Sequence, residues 1–309
     1  MADKKATRAG YGAGLVELGK AHEDVVVLDA DLCGSVGTKD FSKAFPERHF
    51  DVGIAEQNML GMAAGFARVG YTPFAASFAT FCPGRAFEII RNGICYNSLN
   101  VKFAGSHAGL TSATDGGTHQ AIEDLAIMRA LPNMTIVTPC DYNQAILLTK
   151  LAYEHKGPVY IRTARSNTEV FTSLDDKIEI GKVQILKEGS DVCIVAIGIM
   201  NALALEAVEA LKAEGISAKL VNLHTIKPLD VEGIKKAVAE CGGKLLVVED
   251  CNRMGGVGEA IAYELMGESY KMAHIAVDDR FGQTGSEADI NKEYGFTVEN
   301  IIAKAKSLL

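Results

Sequence analysis

The chain has 309 residues, of which 48% are hydrophobic, and a formal net charge of −8. This length and composition can bury a large core and suggest roughly two domains. The charge is spread along the chain without a Lys/Arg tract, which argues against a nucleic-acid backbone as partner. The charged N-terminus MADKKATRAG and a longest apolar run of only residues 192–200 argue against secretion and membrane insertion.

The seven cysteines form no CxxC pair. Their spacing therefore indicates neither a disulfide framework nor a zinc site, and we predict no metal ligands in this chain. A reducing, cytoplasmic environment fits this cysteine usage.

Short apolar stretches alternate with amphipathic segments along the chain. In the first half we predict strands at residues 25–30, 71–78, 101–105, 134–139 and 158–163. Residues 164–190 are polar and rich in turn formers, so a domain boundary is predicted near residue 185. Four further strands are predicted at residues 191–198, 216–223, 244–250 and 271–277. This alternation predicts parallel sheets with helices on both faces, and therefore an α/β fold with a second, smaller α/β domain.

The sequence of residues 50–70, FDVGIAEQNMLGMAAGFARVG, predicts a short extended segment followed by a helix. The helix is predicted because small and apolar residues recur at intervals of three and four positions. Glu56 then lies in the first helical turn. Many carboxylates at that position only complement the helix dipole. This helix is too apolar for a solvated face, however, so we expect Glu56 to be held against a packed surface and suited to sharing a proton with a ring nitrogen.

Two aromatic residues, Phe78 and Phe81, stand at the end of the strand predicted at residues 71–78. Aromatic side chains in such places usually belong to the core. The alternative is a stacking platform for a flat pyrimidine ring.

The segment 103–132 follows a predicted strand and is dense in Gly, Ser, Thr, His and Asp. This composition is typical of a loop that brings polar side chains together at the end of a sheet. A single loop histidine is most often solvated or already hydrogen-bonded. His107 and His119 flank Asp115 in one loop, which favours imidazoles that donate to substrate hydroxyls and shuttle protons.

A glycine loop follows the strand predicted at residues 244–250, in the order of a dinucleotide site. Gly256 and Gly258 are followed by Ile261 where a small residue is needed for close helix packing. We therefore predict a tight strand-to-helix turn here and no bound nucleotide.

The motif IAEQN with its Ala/Gly-rich helix resembles the pyrimidine-binding domain of transketolases. The resemblance covers essentially the whole chain and the latter half of a full-length transketolase. It implies two doubly wound domains, a thiamine-diphosphate pyrimidine-binding domain at residues 1–185 and a transketolase C-terminal domain at residues 186–309. By this resemblance Glu56 bonds the aminopyrimidine of thiamine diphosphate and favours its imino tautomer, while Phe78 and Phe81 sandwich that ring. Gly84 stands where many members have a third aromatic residue.

The stretch SHAGLTSATDGGTH is similar to the loop that lines the sugar channel in transketolases. The resemblance implies that His107 contacts the carbonyl end of the donor and Asp115 one of its hydroxyls. His119 would contact the dihydroxyethyl intermediate, which makes Glu56, His107 and His119 the implied catalytic residues. Gly117 stands where proline is frequent in the family, which puts the rigidity of the loop in doubt.

Three separated residues, Arg8, Ser35 and Arg165, match positions that bind the substrate phosphate in transketolases. Taken singly, each is more typical of an ordinary surface group. Arginine suits the task because its planar fork binds phosphate oxygens in pairs. Arg162 is close enough in sequence to exchange roles with Arg165, and Arg165 is preferred.

The family's metal and diphosphate motif, GDG followed by an asparagine, does not occur in the sequence. We therefore expect Mg²⁺ and the diphosphate to be bound by a separate N-terminal subunit, in an α2β2 heterotetramer that transfers a two-carbon ketol unit between sugar phosphates. The alternatives are the beta subunit of a 2-oxo acid dehydrogenase, a deoxyxylulose-phosphate-synthase-like enzyme and a non-enzymatic scaffold. A short oxo acid would need neither the two histidines nor a phosphate site.

Overall fold

The computed structural model describes residues 3–309 and contains three β-sheets, two of them large. The strands before residue 170 are β1 Lys4–Ala6, β2 Val25–Asp29, β3 His49–Asp51, β4 Thr72–Phe78, β5 Lys102–Ser106, β6 Thr135–Val137, β7 Val159–Arg162 and β8 Asn167–Glu169. The helices there are α1 Thr7–Ala21, α2 Cys33–Val36, α3 Lys39–Ala44, α4 Glu56–Arg68, α5 Cys82–Arg85, α6 Asp124–Arg129 and α7 Tyr142–Glu154. The other helical segments there are the 3₁₀ helices Pro46–Arg48 and Ala113–Asp115 and the π-helix Ile89–Cys95.

The remaining strands are β9 Gln184–Lys187, β10 Val192–Ala196, β11 Ala218–Asn222, β12 Thr225–Lys227, β13 Lys244–Asn252 and β14 Lys271–Val277. The remaining helices are α8 Met200–Ala213, α9 Val231–Glu240, α10 Val257–Glu264, α11 Glu287–Tyr294 and α12 Val298–Lys306. All nine predicted strands are present, each within two residues of its predicted ends. The sequence did not predict β1, β8, β9 or β12, and it predicted β3 only as a short extended segment before α4. These strands are three or four residues long and thus too short for a periodic signal.

The first large sheet has seven strands in the order β12-β6-β7-β5-β4-β2-β3, and only β12 runs antiparallel to its neighbour. Its five inner strands, β6, β7, β5, β4 and β2, are buried on both faces. Val25 and Val27 pack in the cluster that contains residues of α1 and α7, whereas Val26 and Leu28 pack in the cluster that contains residues of α4. This alternation is the period of two expected for a sheet with helices on both faces.

The second large sheet has five strands in the order β14-β13-β10-β11-β9, with only β9 antiparallel. In β10, Ile194 packs in the cluster with α8 and α12, and Cys193 packs in the cluster with α9 and α10. The α/β fold class is therefore confirmed. Strand β12 crosses from the second half of the chain to pair with β6, and the boundary near residue 185 stays a prediction.

Candidate active site

The candidate site lies where the parallel strands of the first sheet end, the usual position of sites in such sheets. Phe78 is the last residue of β4, His107 follows β5 directly, and Arg165 lies three residues beyond β7. An open cavity of about 670 Å³ occurs here, and its lining residues are Arg8, Gly34, Ser35, Phe78, His107, Asp115, His119 and Arg165. The fold thus brings the six predicted substrate-binding residues together from four separate segments of the chain.

The two histidines are held by neighbouring hydroxyls and by aromatic rings. The His107 Nδ1 lies 2.9 Å from Ser106 Oγ, and its ring centroid lies 4.0 Å from that of Phe78. The backbone of His107 has a φ of 61°, an uncommon value for a residue with a side chain. His119 presents its ring edge-on to Phe81 at 5.3 Å. Both imidazoles are therefore fixed beside the same aromatic pair.

Two guanidinium groups, those of Arg8 and Arg165, concentrate positive charge in the cavity. Burial, and after it the charge of Arg165, lower the pKa of Arg8 from its usual value. Burial, and then the charges of Arg8 and Arg165, lower the pKa of His107 to about 3. His107 is therefore neutral at pH 7. Two positive charges that share one carboxylate, Asp115, beside a neutral imidazole are typical of a site for an anion.

Each arginine is also tied to the walls of the cavity. The Arg8 Nη1 donates to Ser35 O at 2.5 Å. The Arg165 Nη1 donates to Ser112 O and to Asp115 Oδ2, both at 3.2 Å. Asp115 thus pairs with Arg165, the same guanidinium that we predict to bind the substrate anion.

Arg162, the near neighbour in sequence, does not reach this cavity. Its side chain is 3% exposed, and its Nε donates to Asp124 Oδ2 at 2.9 Å. Its Nη1 donates to Asp250 Oδ1 at 2.6 Å. Because two buried carboxylates already pair with its guanidinium away from the cavity, Arg162 is not available to a substrate anion, and the geometry favours Arg165.

Glu56 begins helix α4, as the sequence predicts, and is 2% exposed. Its Oε2 lies 3.4 Å from Nη1 of Arg85, the only hydrogen-bonding contact found for this carboxylate among residues 3–309. The Arg85 guanidinium lies over the Phe81 ring at 5.4 Å, and Phe81 is stacked on Phe78 with centroids 6.0 Å apart. A chain of contacts therefore joins Glu56 to the cavity.

These residues fit the pyrimidine half of thiamine diphosphate. A buried carboxylate with spare acceptor capacity is joined through Arg85 to a pair of flat aromatic rings. An aminopyrimidine requires both kinds of group, one for hydrogen bonding and one for stacking. A Cβ built on Gly84 would meet no other atom within 4 Å, so the position of the missing third aromatic residue is open space.

The loop that carries Asp115 and His119 is supported by the second half of the chain. Gln120 Nε2 donates to Gln283 O at 3.1 Å. A Cβ on Gly117 would lie 2.6 Å from Gly282 O, so the two glycines allow a close backbone contact. Rigidity that a proline would provide locally is here provided by packing between the two halves.

Sequence reasoning missed Arg85 and Ser112. Arg85 lies four residues after Phe81, a spacing that places it over the aromatic ring if the segment is helical, and this signal could have identified it. Ser112 contributes its carbonyl oxygen to Arg165, and a backbone contact of this kind leaves no signal in the residue type.

Comparisons with known proteins agree with this geometry. Residues 3–170 match the family model described as "Transketolase, pyrimidine binding domain", and residues 181–301 match "Transketolase, C-terminal domain". The chain belongs to the transketolase family. Family membership implies dependence on thiamine diphosphate.

Three similar proteins show how this transketolase-family chain relates to others. It is 47% identical over 301 residues to a protein named as a transketolase C-terminal section in Methanocaldococcus jannaschii, covering 96% of this chain and 94% of that one. It is 39% identical over 293 residues to the 6-deoxy-6-sulfo-D-fructose transketolase subunit SqwH of a Clostridium species, covering 94% and 90%. A solved "Split gene transketolase, inactive beta4 tetramer" superposes with a TM-score of 0.91 at 47% identity, covering 98% of each chain.

Within residues 3–309, none of the helices has the length and apolar character needed to cross a bilayer.

Proposed function

We propose that this chain is the C-terminal subunit of a split, thiamine-diphosphate-dependent transketolase that transfers a two-carbon ketol unit from a ketose phosphate to an aldose phosphate. The observation that carries the proposal is the cavity in which two arginines, two histidines and Asp115 converge beside an aromatic pair. Residues that bind an anion and residues that handle hydroxyl protons thus share one site.

The cofactor, when bound, supplies the chemistry that breaks and forms the carbon–carbon bond. In this chain Phe78 and Phe81 would stack on its pyrimidine ring, and the Glu56 carboxylate would share a proton with a ring nitrogen. Because Glu56 is almost fully buried, water does not compete for that hydrogen bond. Arg85 restrains the carboxylate at 3.4 Å without a close bidentate contact, which leaves acceptor capacity for the ring.

Arg8 and Arg165 would hold the anionic end of the sugar. Burial, and after it repulsion from Arg165, lower the pKa of Arg8. An anion between the two arginines relieves this repulsion, so binding is favoured beyond the individual hydrogen bonds. Ser35 extends the same wall of the cavity from helix α2. A short, unphosphorylated oxo acid would not use these groups, which argues against the 2-oxo acid dehydrogenase alternative.

His107 and His119 would act on the oxygens of the reacting carbons. A neutral His107 can accept or donate a hydrogen bond without adding a third positive charge to the cavity. His119 makes T-shaped contacts with Phe78 and Phe81, and it lines the same cavity as Asp115. Proton exchange with substrate hydroxyls is thus assigned to the imidazoles, and recognition of a hydroxyl to Asp115.

A second polypeptide would bind Mg²⁺ and the diphosphate in an α2β2 heterotetramer. The M. jannaschii relative is itself named as a C-terminal section, and the solved split-gene relative is described as an inactive tetramer of its beta chain. Both descriptions fit a chain of this length that functions with a complementary subunit.

A titration of this chain with a candidate N-terminal subunit tests the proposal. Ketol transfer and molecular mass are followed together, with thiamine diphosphate and Mg²⁺ present or withheld. We expect no turnover from either chain alone, and activity that saturates at equal amounts of the two chains. Cofactor should tighten the assembly, because a ligand bound by both chains favours the associated state. Full activity of this chain alone would refute the split-subunit reading.

The sugars tested as ketol donors should include more than phosphate esters. The Clostridium relative is named for a sulfonated sugar, and a sulfonate is also an anion that an arginine pair can bind. Xylulose and fructose phosphates, 6-deoxy-6-sulfo-D-fructose and their neutral analogues should therefore be compared on the reconstituted pair. Turnover of 2-oxo acids or formation of deoxyxylulose phosphate would favour the alternative activities instead.

A further inference from the structure

Three potential metal ligands that do not line the substrate cavity meet at the end of strand β2. Asp29 is the last residue of β2, Cys33 begins helix α2, and His49 begins β3. Strands β2 and β3 are parallel, with Val27 opposite His49, so Asp29 and His49 lie on the same face of the sheet. One ligand atom of each of the three side chains lies within 4.8 Å of the other two.

The Asp29 carboxylate has one oxygen for which the fold provides no donor. Its Oδ2 accepts hydrogen bonds from Thr38 Oγ1 at 2.6 Å and from His49 Nε2 at 2.8 Å. Its Oδ1 is buried without a hydrogen-bond partner among the described residues, and the side chain is 0% exposed. A buried carboxylate oxygen without a donor is costly, and a cation is one way to compensate it.

Tyr11 is the nearby group that could serve Asp29 instead. Its hydroxyl is also buried without a partner, and burial followed by the charges of Cys82 and Asp29 raises the pKa of Tyr11. The hydroxyl therefore stays neutral and can offer a hydrogen bond or share a water molecule, but it cannot supply positive charge. The space beside Asp29 Oδ1 can therefore hold either a water molecule shared with Tyr11 or a cation. Only the cation would compensate the charge of the carboxylate.

We propose that Asp29, Cys33 and His49 form a site for a zinc-like divalent cation. A thiolate, an imidazole and a carboxylate together are ligands that Zn²⁺ accepts, whereas Mg²⁺ and Ca²⁺ prefer oxygen ligands only. On binding, the Cys33 thiol releases its proton to solvent. The His49 proton moves from Nε2 to Nδ1, so that Nε2 is free to coordinate. A water molecule would complete a four-coordinate site.

The surroundings match what such a site needs. Thr38 Oγ1 donates to the same Asp29 oxygen, Oδ2, that His49 Nε2 contacts, and it holds the carboxylate in place as supporting hydrogen bonds do in metal sites. Cys33 is the only cysteine among residues 3–309 that is not buried, so an ion can reach the cluster from solvent. The cation would fasten the start of α2 to the sheet, and α2 carries Gly34 and Ser35 of the substrate cavity.

Sequence reasoning predicted no zinc site, because the seven cysteines form no CxxC pair. The ligands come from a strand end, a short helix and a neighbouring strand. Only the parallel pairing of β2 and β3 brings them together.

Titration of the metal-free, full-length chain with Co²⁺ tests the proposal. Cobalt bound by a thiolate gives a charge-transfer absorption band in the near ultraviolet, whatever the activity of the enzyme. We expect this band at one equivalent per chain and its loss when Zn²⁺ is added. Cys33→Ser should abolish the band, and His49→Gln should retain it with an affinity reduced by at least the ten- to hundredfold that loss of a supporting partner costs.

Matched controls separate the site from adventitious binding. Cys95→Ala removes a buried cysteine outside the cluster, and His22→Gln removes a histidine that stacks on Tyr153. Both variants should keep the band and the affinity of the parent chain. Absence of the band from the parent chain, or an unchanged band in Cys33→Ser, would overturn the proposal and assign the Asp29 oxygen to water or Tyr11.

Discussion

Replacing Arg162 by methionine should destabilise the fold more than any loss of a surface charge. Arg162 lies on β7 and donates to Asp124 at 2.9 Å and to Asp250, on β13, at 2.6 Å. The three side chains are no more than 4% exposed. Removing one partner from a buried ion pair leaves the other charge uncompensated and costs about 3–5 kcal/mol. We expect a loss in this range for Arg162→Met at pH 7.

The loss should depend on pH, because a buried carboxyl group can be protonated instead of remaining an unpaired charge. Burial raises the pKa of Asp124, and the charge of Arg162 opposes that shift, so removal of Arg162 should raise it further. A carboxyl group with a raised folded-state pKa stabilises the fold below its unfolded pKa and loses this contribution as pH rises through the folded pKa. Protonating an Asp side chain of unperturbed pKa costs roughly 4 kcal/mol at pH 7 and about 1.5 kcal/mol at pH 5. The loss in the free energy of unfolding of Arg162→Met should therefore be smaller at pH 5 than at pH 7.

Urea denaturation followed by circular dichroism at pH 7 and pH 5 measures both effects. The matched control is Arg280→Met, because Arg280 pairs with Glu293 at 2.7 Å with both side chains about half exposed. Exposed pairs of this kind contribute about 0–1 kcal/mol. Equal losses in the two variants, or a deficit for Arg162→Met that does not change with pH, would refute the assignment of a buried ion pair between the two halves.

Three further predictions concern the site. Glu56→Gln should leave the chain folded and remove most turnover, because an amide cannot share a proton with the ring nitrogen of the cofactor. The measurement is hydrogen–deuterium exchange at the reactive carbon of the cofactor with the N-terminal subunit present, and near-normal exchange would contradict the prediction. Arg165→Ala and Arg8→Ala should reduce kcat/KM for anionic ketoses by on the order of ten- to a hundredfold, and equal losses on neutral ketoses would make them structural residues. Gly282→Ala places a Cβ 1.6 Å from Gln120 Oε1, so the displaced loop should lower kcat/KM by up to roughly a hundredfold, and an unchanged value would show that the loop is not braced there.

The longer elements could be predicted from sequence because periodicity is a local property. Buried strands such as Val192–Ala196 are continuous apolar runs, and Glu56 begins its helix as the pattern predicts. Strand β12 could not be predicted, because three residues carry no period and their pairing partner lies about 90 residues away in sequence. Local pattern therefore identified the elements but not the strand that joins the two halves.

Choosing between Arg162 and Arg165 shows what composition cannot provide. The two residues have the same side chain and lie three positions apart, so residue type and spacing leave both open. Their burial differs: Arg162 is 3% exposed between two carboxylates, whereas Arg165 is 40% exposed beside the cavity, which supports the prediction of Arg165. The carboxylates that bind Arg162 come from positions 124 and 250, a long-range contact that only the folded chain creates.

The aromatic pair connects the two functions that sequence reasoning treated separately. Phe78 lines the cavity and contacts His107, while Phe81 contacts His119 and lies under Arg85, which in turn contacts Glu56. Because closely packed rings have little room to move, Phe78 and Phe81, with centroids 6.0 Å apart, restrain the side chains that contact them. A rigid connection of this kind is what proton transfer needs, since small displacements of reacting groups cost large factors in rate. The two rings thus pack with the core cluster that contains α1 and α7, and they also connect the imidazoles of the proposed site to the Arg85–Glu56 pair.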